Sequence, residues 1–291
     1  MKVAVLGNGL LGKEISKQTG WDNINRTTHT FDFNDVTSCY KYIKDYDVIL
    51  NCIAYTKTYD REKENHWNIN YKAVSRLTDW CSDNNKKLVH ISTDYVYTNS
   101  SHATNEEGVP VHGEHWYGYT KLLADGYIEL KGRDYLIIRC GHKPTPFPFD
   151  TAYDDICGNF DYVNVIAEGI IKLINGNAVG LYNVGTEAKT IYELAKRTKP
   201  DVKSGSKRGW MPSDIRMNCN KYKEFVTDDW VNDPDVVDFL ERADEPGPWS
   251  EEDDKIFTVG GLTNDKNKDF SEFQKKQNDF ENDFENQPFG D

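Results

Sequence analysis

A tyrosine and a lysine in the stretch "HWYGYTK" have the spacing that proton transfer requires. Tyr117 precedes Lys121 by four positions, which puts both on one face of a helix, whereas Tyr119 lies on the opposite side. Free tyrosine has a pKa of about 10, and an ammonium about 5 Å away lowers it by about two units at an effective dielectric of about 20. The spacing predicts Tyr117 as a general acid, the alternative being the aromatic start of an amphipathic helix.

Three polar residues, Ser92, Thr93 and Asp94, follow an apolar run in the stretch "ISTDYVY". If that run is a parallel strand, its carboxyl end faces the ligand-binding crevice of the sheet. A threonine hydroxyl there is suited to hydrogen-bond a carbonyl oxygen while Tyr117 delivers a proton. Each motif alone is compatible with an ordinary strand end or helix start, and only their combination favours catalysis.

The N-terminal stretch "VAVLGNGLLGKEI" places Gly7, Gly9 and Gly12 in a G-x-G-x-x-G pattern between an apolar run and a helical pattern. Glycines with this spacing allow a tight turn, a close approach of the backbone to a pyrophosphate and close helix–strand packing. The start of a helix also attracts phosphate. We therefore predict a dinucleotide site, the alternative being a glycine turn without a ligand.

The residue about 20 positions after the glycine loop distinguishes the two nicotinamide dinucleotides. NAD sites usually place an acidic residue there to bind the ribose hydroxyls, whereas this chain has Asn25 and Arg26. A guanidinium fork matches phosphate oxygens, which suits a 2'-phosphate. The sequence favours NADP(H), with NAD(H) as the other choice and a solvated surface residue as the alternative reading of Arg26.

Short apolar runs alternate with longer helical patterns, as in a parallel sheet covered by helices. The runs cover residues 2–7, 29–33, 47–54, 87–93, 135–140 and 180–185. The helical patterns cover residues 10–20, 60–84, 117–131, 163–175 and 190–198. This alternation predicts an α/β fold, a Rossmann-type doubly wound parallel sheet with ligands beyond the carboxyl ends of its strands. The proline-rich segment 141–155 is predicted to be a loop.

Negative charge is concentrated at the C-terminal end of the chain. Residues 226–291 carry 20 acidic and 6 basic side chains, a net charge of -14, so the other 225 residues contribute +1 to the total of -13. This acidic tail offers little apolar surface to offset the entropy of ordering it, and we predict that it is largely disordered. The predicted domains are an NAD(P)-binding core over 1–140, remaining core elements with a reduced substrate-binding portion over 141–225, and the tail over 226–291.

The composition disfavours several classes of protein. A near-neutral body with an acidic tail lacks the basic surface that nucleic acids require. The six cysteines include no CxxC pair and no Cys/His spacing typical of a metal site, and are interpreted as reduced thiols. No apolar run approaches the roughly 18 residues that span a bilayer, and the N-terminus enters a strand instead of a signal sequence. We expect a cytoplasmic protein without a metal, membrane or nucleic-acid partner.

Taken together, these motifs resemble those of the extended short-chain dehydrogenase/reductases. The glycine loop, "FDFND", "NCIAYT", "ISTDYVY", "YGYTK" and "PSDIRMNCNKY" are most similar to the dTDP-4-dehydrorhamnose reductase (RmlD-like sugar-nucleotide-binding) family, over about residues 1–225. The resemblance implies that Tyr117 donates the proton and that Lys121 binds the nicotinamide ribose and lowers the pKa of Tyr117. It also implies that Thr93 hydrogen-bonds the reacting oxygen, during hydride transfer from NADPH to C4 of a nucleotide-linked 4-keto-6-deoxy sugar.

The resemblance further implies which residues contact the two ligands. Those expected at the cofactor are Gly7, Asn8, Gly9, Leu10, Leu11, Gly12, Arg26, Asp32, Phe33, Cys52, Ile53, Ala54, Tyr117 and Lys121, with Asp32 and Phe33 at the adenine. Those expected at the substrate are Thr93, Asp94 and Tyr95. Two other functions stay open, a nucleotide-sugar epimerase, which uses the same tyrosine and lysine, and a non-catalytic NAD(P)-binding regulatory subunit.

Two segments depart from the family pattern. The stretch after "IIRC" reaches the next helix early, and His142, near a position that is aromatic in the family, is predicted to be an exposed loop residue. In the tail, four phenylalanines fall on one helical stripe, namely Phe270, Phe273, Phe280 and Phe284. We predict a solubilising extension there, with docking of the tail on a protein partner as the alternative, and homodimerisation is also left open.

Overall fold

The structure is a computed structural model, and it describes residues 1–99, 104–108 and 115–227 of the 291-residue chain. These residues belong to one compact unit, Met1–Gly247. Among them, no helix is long and apolar enough to cross a membrane. The acidic tail beyond residue 227 and its phenylalanine stripe lie outside the described residues, so the two interpretations of the tail stay predictions.

Six parallel strands form the central sheet. They are β1 (Val3–Leu6), β2 (Asp22–Ile24), β3 (Val48–Asn51), β4 (Lys87–Ile91), β5 (Tyr135–Arg139) and β6 (Gly180–Asn183). Their order across the sheet is β6-β5-β4-β3-β1-β2, and every pair is parallel. The chain runs from β1 to β2 on one side and then crosses to β3 on the other. The carboxyl ends of β1 and β3 therefore flank the switch point at which such sheets bind ligands.

Helices cover both faces of the sheet, and the predicted doubly wound α/β fold is confirmed. The helices are α1 (Leu10–Thr19), α2 (Tyr40–Ile43), α3 (Lys63–Asn65), α4 (Val74–Asp83), α5 (Trp116–Lys131), α6 (Val163–Asn175), α7 (Ile191–Lys196) and α8 (Asn220–Thr227). A π-helical segment, His66–Ala73, joins α3 to α4, and two 3-10 helices cover Val36–Cys39 and Asp94–Tyr97.

The strands are apolar on both faces because each face packs under helices. In β1, Val3 and Val5 belong to the core cluster that includes residues of α1 and α6. Ala4 and Leu6 belong to the cluster on the other face, which includes residues of α4 and α5. Burial of one such aliphatic side chain contributes about 1.5–3 kcal/mol. A fully buried polar side chain in these strands is therefore an exception that requires a partner.

Residues 142–215 add short strands around a smaller core. Thr151–Tyr153 pairs with Lys203–Gly205, His142–Lys143 pairs with Asp161–Tyr162, and Cys157–Gly158 pairs with both Lys189–Thr190 and Asp214–Ile215. The core of this region includes Phe160, Tyr162 and Leu194. These strands correct the prediction that 141–155 is a loop throughout, since two of them fall inside that proline-rich segment.

The second strand of the sheet is also a correction. The sequence predicted it at 29–33, but β2 is Asp22–Ile24, and residues 29–33 contain turns and one bridge between Asp32 and Asp35. Phe31 and Phe33 alternate as strand residues do, yet they pack against the core from a loop. The true strand is short and lies at the edge of the sheet, where fewer of its residues are buried. It therefore lacks the apolar pattern by which strands are predicted.

Candidate active site

The glycine loop joins β1 to α1 in the predicted strand–turn–helix arrangement. Gly7 has a φ of +103°, which strongly favours glycine. A Cβ on Gly12 would lie 2.2 Å from the carbonyl oxygen of Gly7, so only a glycine lets α1 pack this closely against the loop. A Cβ on Gly9, the N-cap of α1, would meet nothing within 4 Å. This open backbone, beside helix amides that have no intrahelical partner, fits a pyrophosphate.

The end of β2 lies beside this loop. Asn23 Nδ2 donates to the carbonyl oxygen of Gly7 at 3.0 Å, which ties β2 to the glycine loop. Asn25 is buried, and its Oδ1 accepts from the amide of Thr27 at 2.9 Å, which fixes the following turn. Arg26 stands on that turn with an exposed side chain, two residues beyond β2. The position of Arg26 is compatible with a 2'-phosphate contact, which stays a prediction.

The other residues expected at the cofactor divide into exposed and core positions. Asn8 and Leu10 are exposed on the glycine loop and Asp32 is exposed beyond β2. Leu11 and Phe33 have only 4% and 7% of their surfaces exposed and belong to the two core clusters. The side chains of these two residues support the fold, and contacts from them to a cofactor stay predictions.

The segment after β3 runs beside the glycine loop at the same edge of the sheet. The amide of Cys52 donates to the carbonyl oxygen of Leu6 at 3.0 Å. A Cβ on Gly7 would lie 2.8 Å from Cγ1 of Ile53, so these two backbones approach closely. Cys52, Ile53 and Ala54 are half-buried, and they are placed where the sequence predicted a wall of the dinucleotide site.

The side chains of Thr93 and Tyr117 lie near enough to each other that Thr93 influences the pKa of the Tyr117 phenol. Thr93 caps the 3-10 helix Asp94–Tyr97, and its Oγ1 accepts from the amide of Tyr95 at 3.2 Å and donates to Asp94 Oδ1 at 3.1 Å. Thr93 is 3% exposed, so these bonds hold its hydroxyl in a defined position. The structure thus brings together two of the three residues that the sequence predicted as catalytic.

Lys121, the third of them, faces the sheet from α5. It is 1% exposed, and its Nζ donates to the carbonyl oxygen of Ile91 at 2.6 Å and lies 2.9 Å from His90 Nε2. Burial lowers the pKa of Lys121 to about 8. Burial raises the pKa of Tyr117, and the neighbouring Thr93 hydroxyl opposes that shift only in part. The prediction that the pKa of Tyr117 is lowered is therefore wrong, because desolvation of the phenol is the largest effect.

Three buried polar residues of the site were not singled out from the sequence as anchors. Asn51 and His90 are register partners on β3 and β4, with Asn51 Nδ2 3.1 Å from His90 Nδ1. Asn51 Oδ1 accepts from the amide of Ile53 at 3.1 Å. Asn70 accepts from the amide of Tyr55 at 2.8 Å and donates to its carbonyl oxygen at 3.0 Å. The available signal was a polar residue inside an otherwise apolar run, as in "VILN" and "KLVHI".

Asp94 and Tyr95 continue the site on the side expected for substrate. Asp94 is 3% exposed, and burial raises the pKa of its carboxyl, opposed by the charge of Lys143. The Tyr95 hydroxyl lies 3.0 Å from the hydroxyl of Tyr59, and its ring packs edge-on against Tyr117 with 6.2 Å between centroids. Aromatic rings and a buried carboxyl therefore adjoin the general-acid candidate.

His142 is a correction to the sequence prediction of an exposed loop residue. It begins a short strand, it is half-buried, and its Nδ1 is buried without a hydrogen-bond partner among the described residues. Burial lowers the pKa of His142 to about 4, so the ring is neutral at physiological pH. Its position results from strand pairing with Asp161. That pairing joins segments distant in the chain, so no pattern near His142 in the sequence predicts it.

Comparisons with known proteins show which family this chain resembles. A family model described as RmlD substrate binding domain matches residues 1–142. The spore coat polysaccharide biosynthesis protein SpsK of Bacillus subtilis is 29% identical over 206 residues, which cover 63% of this chain and 72% of that protein. The dTDP-4-dehydrorhamnose reductase of Mycolicibacterium smegmatis is 26% identical over 148 residues, and the match spans 47% of this chain and 44% of the reductase.

Solved structures show the same fold. The crystal structure of a hypothetical dTDP-4-dehydrorhamnose reductase from Sulfolobus tokodaii has a TM-score of 0.68 at 24% identity, covering 78% of this chain and 95% of that one. A dTDP-4-dehydrorhamnose reductase from Bacillus anthracis, in complex with NADP, has a TM-score of 0.65 at 22% identity, covering 77% of this chain and 93% of that one. The resemblance that the motifs predicted is confirmed: residues 1–142 match the RmlD family model, and the relatives and solved structures named above include dTDP-4-dehydrorhamnose reductases.

Proposed function

We propose that this chain is an NADP(H)-dependent reductase that acts on C4 of a nucleotide-linked 4-keto-6-deoxy sugar, with Tyr117 as the proton donor. The observation that carries the proposal is the placement of Thr93 beside Tyr117 beyond the carboxyl end of β4, where the Tyr95 ring packs edge-on against Tyr117 with 6.2 Å between centroids. In the same sheet, β1 ends in the glycine loop, and the open backbone at Gly9 supports a pyrophosphate site there. The names of the relatives support a sugar-nucleotide reductase as the class.

The chain's own residues would divide the work of binding the cofactor, which supplies a hydride when it is bound. Backbone amides at Gly9 and the start of α1 would hold the pyrophosphate, because the space around Gly9 is open and a Cβ there would meet nothing within 4 Å. Arg26 would hold the 2'-phosphate with its guanidinium. The NADP complex of the Bacillus anthracis relative supports NADP(H), with NAD(H) as a second choice.

Tyr117 would act as the acid of the reduction. Its raised pKa means that the phenol carries its proton at neutral pH, so the proton to be donated is present when the reaction begins. As the carbonyl carbon is reduced, the electron pair of the C=O bond moves to oxygen, and the phenol protonates that oxygen. The Thr93 hydroxyl, positioned by Asp94 and by the amide of Tyr95, would turn its one proton from Asp94 Oδ1 to the same oxygen and so orient it.

The test is to follow NADPH absorbance with purified protein and a panel of nucleotide-linked 4-keto sugars. Tyr117→Phe removes the proton donor and should lower turnover by about 10²–10⁴-fold. Tyr119→Phe is the matched control, because Tyr119 lies two residues along α5 and its ring packs on Trp116. We expect Tyr119→Phe to retain wild-type turnover.

The same assay separates the other functions. Full activity of Tyr117→Phe would refute the assigned acid. Conversion of the sugar without net consumption of NADPH would indicate an epimerase, because an epimerase regenerates its cofactor. NADPH binding without turnover on any sugar of the panel would instead support a non-catalytic NAD(P)-binding subunit.

A further inference from the structure

A continuous chain of buried side chains connects β3 to the lysine of the site. Asn51 Nδ2 is 3.1 Å from His90 Nδ1, and His90 Nε2 is 2.9 Å from Lys121 Nζ. All three residues are at most 1% exposed. Register pairing places Asn51 beside His90, and strand alternation turns both toward the face that α5 covers. The three residues therefore form one buried, hydrogen-bonded row, in which every donor requires an acceptor.

The orientation of the Asn51 amide fixes the donors in this row. Asn51 Oδ1 already accepts from the amide of Ile53, so the group facing His90 is the NH₂ donor. His90 Nδ1 must then accept, which leaves the single proton of a neutral imidazole on Nε2. His90 cannot carry two protons, because burial and the neighbouring lysine push its pKa well below the ordinary value of 6.5.

A protonated Nε2 conflicts with a charged lysine. An ammonium has three donors and no acceptor, so it cannot receive the Nε2 proton. A neutral amine has a lone pair for that proton and still donates to the carbonyl oxygen of Ile91 at 2.6 Å. All contacts in the row are therefore satisfied together only when Lys121 is uncharged.

We propose that Asn51 and His90 form a tautomer-linked positioning pair that determines whether Lys121 carries its proton. With a neutral lysine, His90 is the Nε2–H tautomer and its bond to Asn51 is intact. With a charged lysine, His90 shifts to the Nδ1–H tautomer, Nε2 accepts from the ammonium, and the Asn51 bond is lost. Asn51 thereby favours the uncharged lysine. The Asn51 amide donates a hydrogen bond but does not release its protons. The pair therefore positions Lys121 and sets its protonation, and it does not conduct protons.

Other groups that face Lys121 do not substitute for this pair. Asp125, four residues along α5, is engaged at Oδ2 by Arg139 Nε and by the Ser92 hydroxyl, each at 2.9 Å. The thiols of Cys52 and Cys140 stay neutral, because burial raises the pKa of both, that of Cys52 to about 12. The phenol of Tyr117 is also neutral, since its pKa is raised. His90 is thus the group in direct contact whose proton arrangement changes with the lysine.

The test is nitrogen NMR of the histidine ring and of the lysine amine in the full-length wild-type protein without added nucleotide, from about pH 6 to about pH 10, which brackets the lowered lysine pKa. We expect His90 to be the Nε2–H tautomer at high pH and the Nδ1–H tautomer at low pH. The midpoint of that exchange should coincide with the titration of Lys121, while His90 stays neutral throughout. A tautomer that does not change across this range, or a His90 that becomes doubly protonated, would overturn the proposal.

Two substitutions separate the hydrogen bond from simple charge. Asn51→Asp keeps an acceptor for Ile53 and replaces the NH₂ with an acceptor for Nδ1–H, so His90 should be locked as Nδ1–H. The Lys121 midpoint should then rise by at least one unit, which is about a tenfold change in its protonation. Cys52→Asp adds a carboxylate on the opposite face of β3, where Cys52 packs against the other core cluster. Cys52→Asp should raise the Lys121 midpoint and leave His90 free to change its tautomer. An equal effect of both variants on the His90 tautomer would contradict the proposal.

The kinetic consequence rests on the proposed function, whereas the NMR readout does not. If Lys121 assists Tyr117 as an acid, Asn51→Asp should extend the active pH range upward with the lysine midpoint. Should the NMR result hold while no sugar is reduced, the proton arrangement stands and the proposed reaction fails. Should the sugar be reduced while His90 keeps one tautomer, the reaction stands and the positioning pair fails.

Discussion

Substitution of two glycines of the same loop should separate packing from cofactor binding. A Cβ on Gly12 would start 2.2 Å from the carbonyl oxygen of Gly7. An ordinary carbon–oxygen contact is about 3.3 Å, so α1 must move away by about 1 Å. Overpacking of this kind costs about 1–3 kcal/mol, or about 2–12 °C in Tm for a domain of this size. Gly12→Ala should therefore unfold at a lower temperature even without nucleotide.

Gly9→Ala should leave the fold intact and weaken the binding of the nucleotide. Its Cβ meets nothing within 4 Å, and its φ of -73° suits alanine. Loss of the glycine N-cap lowers the free energy of unfolding by about 0.5–1 kcal/mol. Alanine also reduces the conformational entropy of the unfolded chain, which raises the free energy of unfolding by about 0.4–1 kcal/mol and offsets that loss. The new methyl group instead occupies the open face proposed for the pyrophosphate. We expect at least tenfold weaker NADPH binding, which is about 1.4 kcal/mol.

Thermal unfolding with and without NADPH measures both effects. At a concentration of about 100 times the wild-type Kd, binding stabilises the wild type by about 2.7 kcal/mol, and tenfold weaker binding leaves about 1.4 kcal/mol. Gly126→Ala is the control, because Gly126 is exposed on α5 with nothing within 4 Å of its Cβ. It should gain about 0.5–1 kcal/mol and bind NADPH normally. Wild-type affinity in Gly9→Ala would refute the pyrophosphate site, and an unchanged Tm in Gly12→Ala would refute the close packing.

Two further substitutions test the specificity and the stability of the site. Arg26→Ala should weaken the binding of NADPH by at least tenfold and leave the binding of NADH unchanged, because only NADPH carries the 2'-phosphate. Equal losses of affinity for both nucleotides in a fluorescence titration would contradict this role. Asp125→Asn should destabilise the protein by about 3–5 kcal/mol, because it breaks the buried 2.9 Å pair with Arg139, and an unchanged urea midpoint would show that the pair contributes nothing.

Local patterns in the sequence were sufficient to predict the glycine loop and the helix that carries Tyr117 and Lys121. The spacing of Gly7, Gly9 and Gly12 and the four-residue step from Tyr117 to Lys121 are geometric facts of a turn and of a helix. The turn and the helix themselves are found as predicted. The proximity of Thr93 and Tyr117 also follows, because a strand end and a helix start meet at the same edge of a doubly wound sheet.

Features that depend on pairing between distant segments were not predictable from one sequence. The contact of Lys121 with His90 requires the strand register and the depth at which α5 packs. Burial, which sets the pKa of Tyr117 and of Lys121, likewise depends on the surrounding layers and not on their spacing in α5. The edge strand β2 was missed because its three residues are largely polar, and His142 was misplaced because its strand partner lies about twenty residues away in the chain.

The most direct test of the proposed reaction is isotope transfer from NADPH deuterated at its transferable position to a nucleotide-linked 4-keto-6-deoxy sugar. We expect deuterium at C4 of the product, in an amount equal to the NADPH consumed, and loss of this transfer in Tyr117→Phe but not in Tyr119→Phe. Product without deuterium at C4, or turnover without net NADPH oxidation, would contradict the proposed reductase.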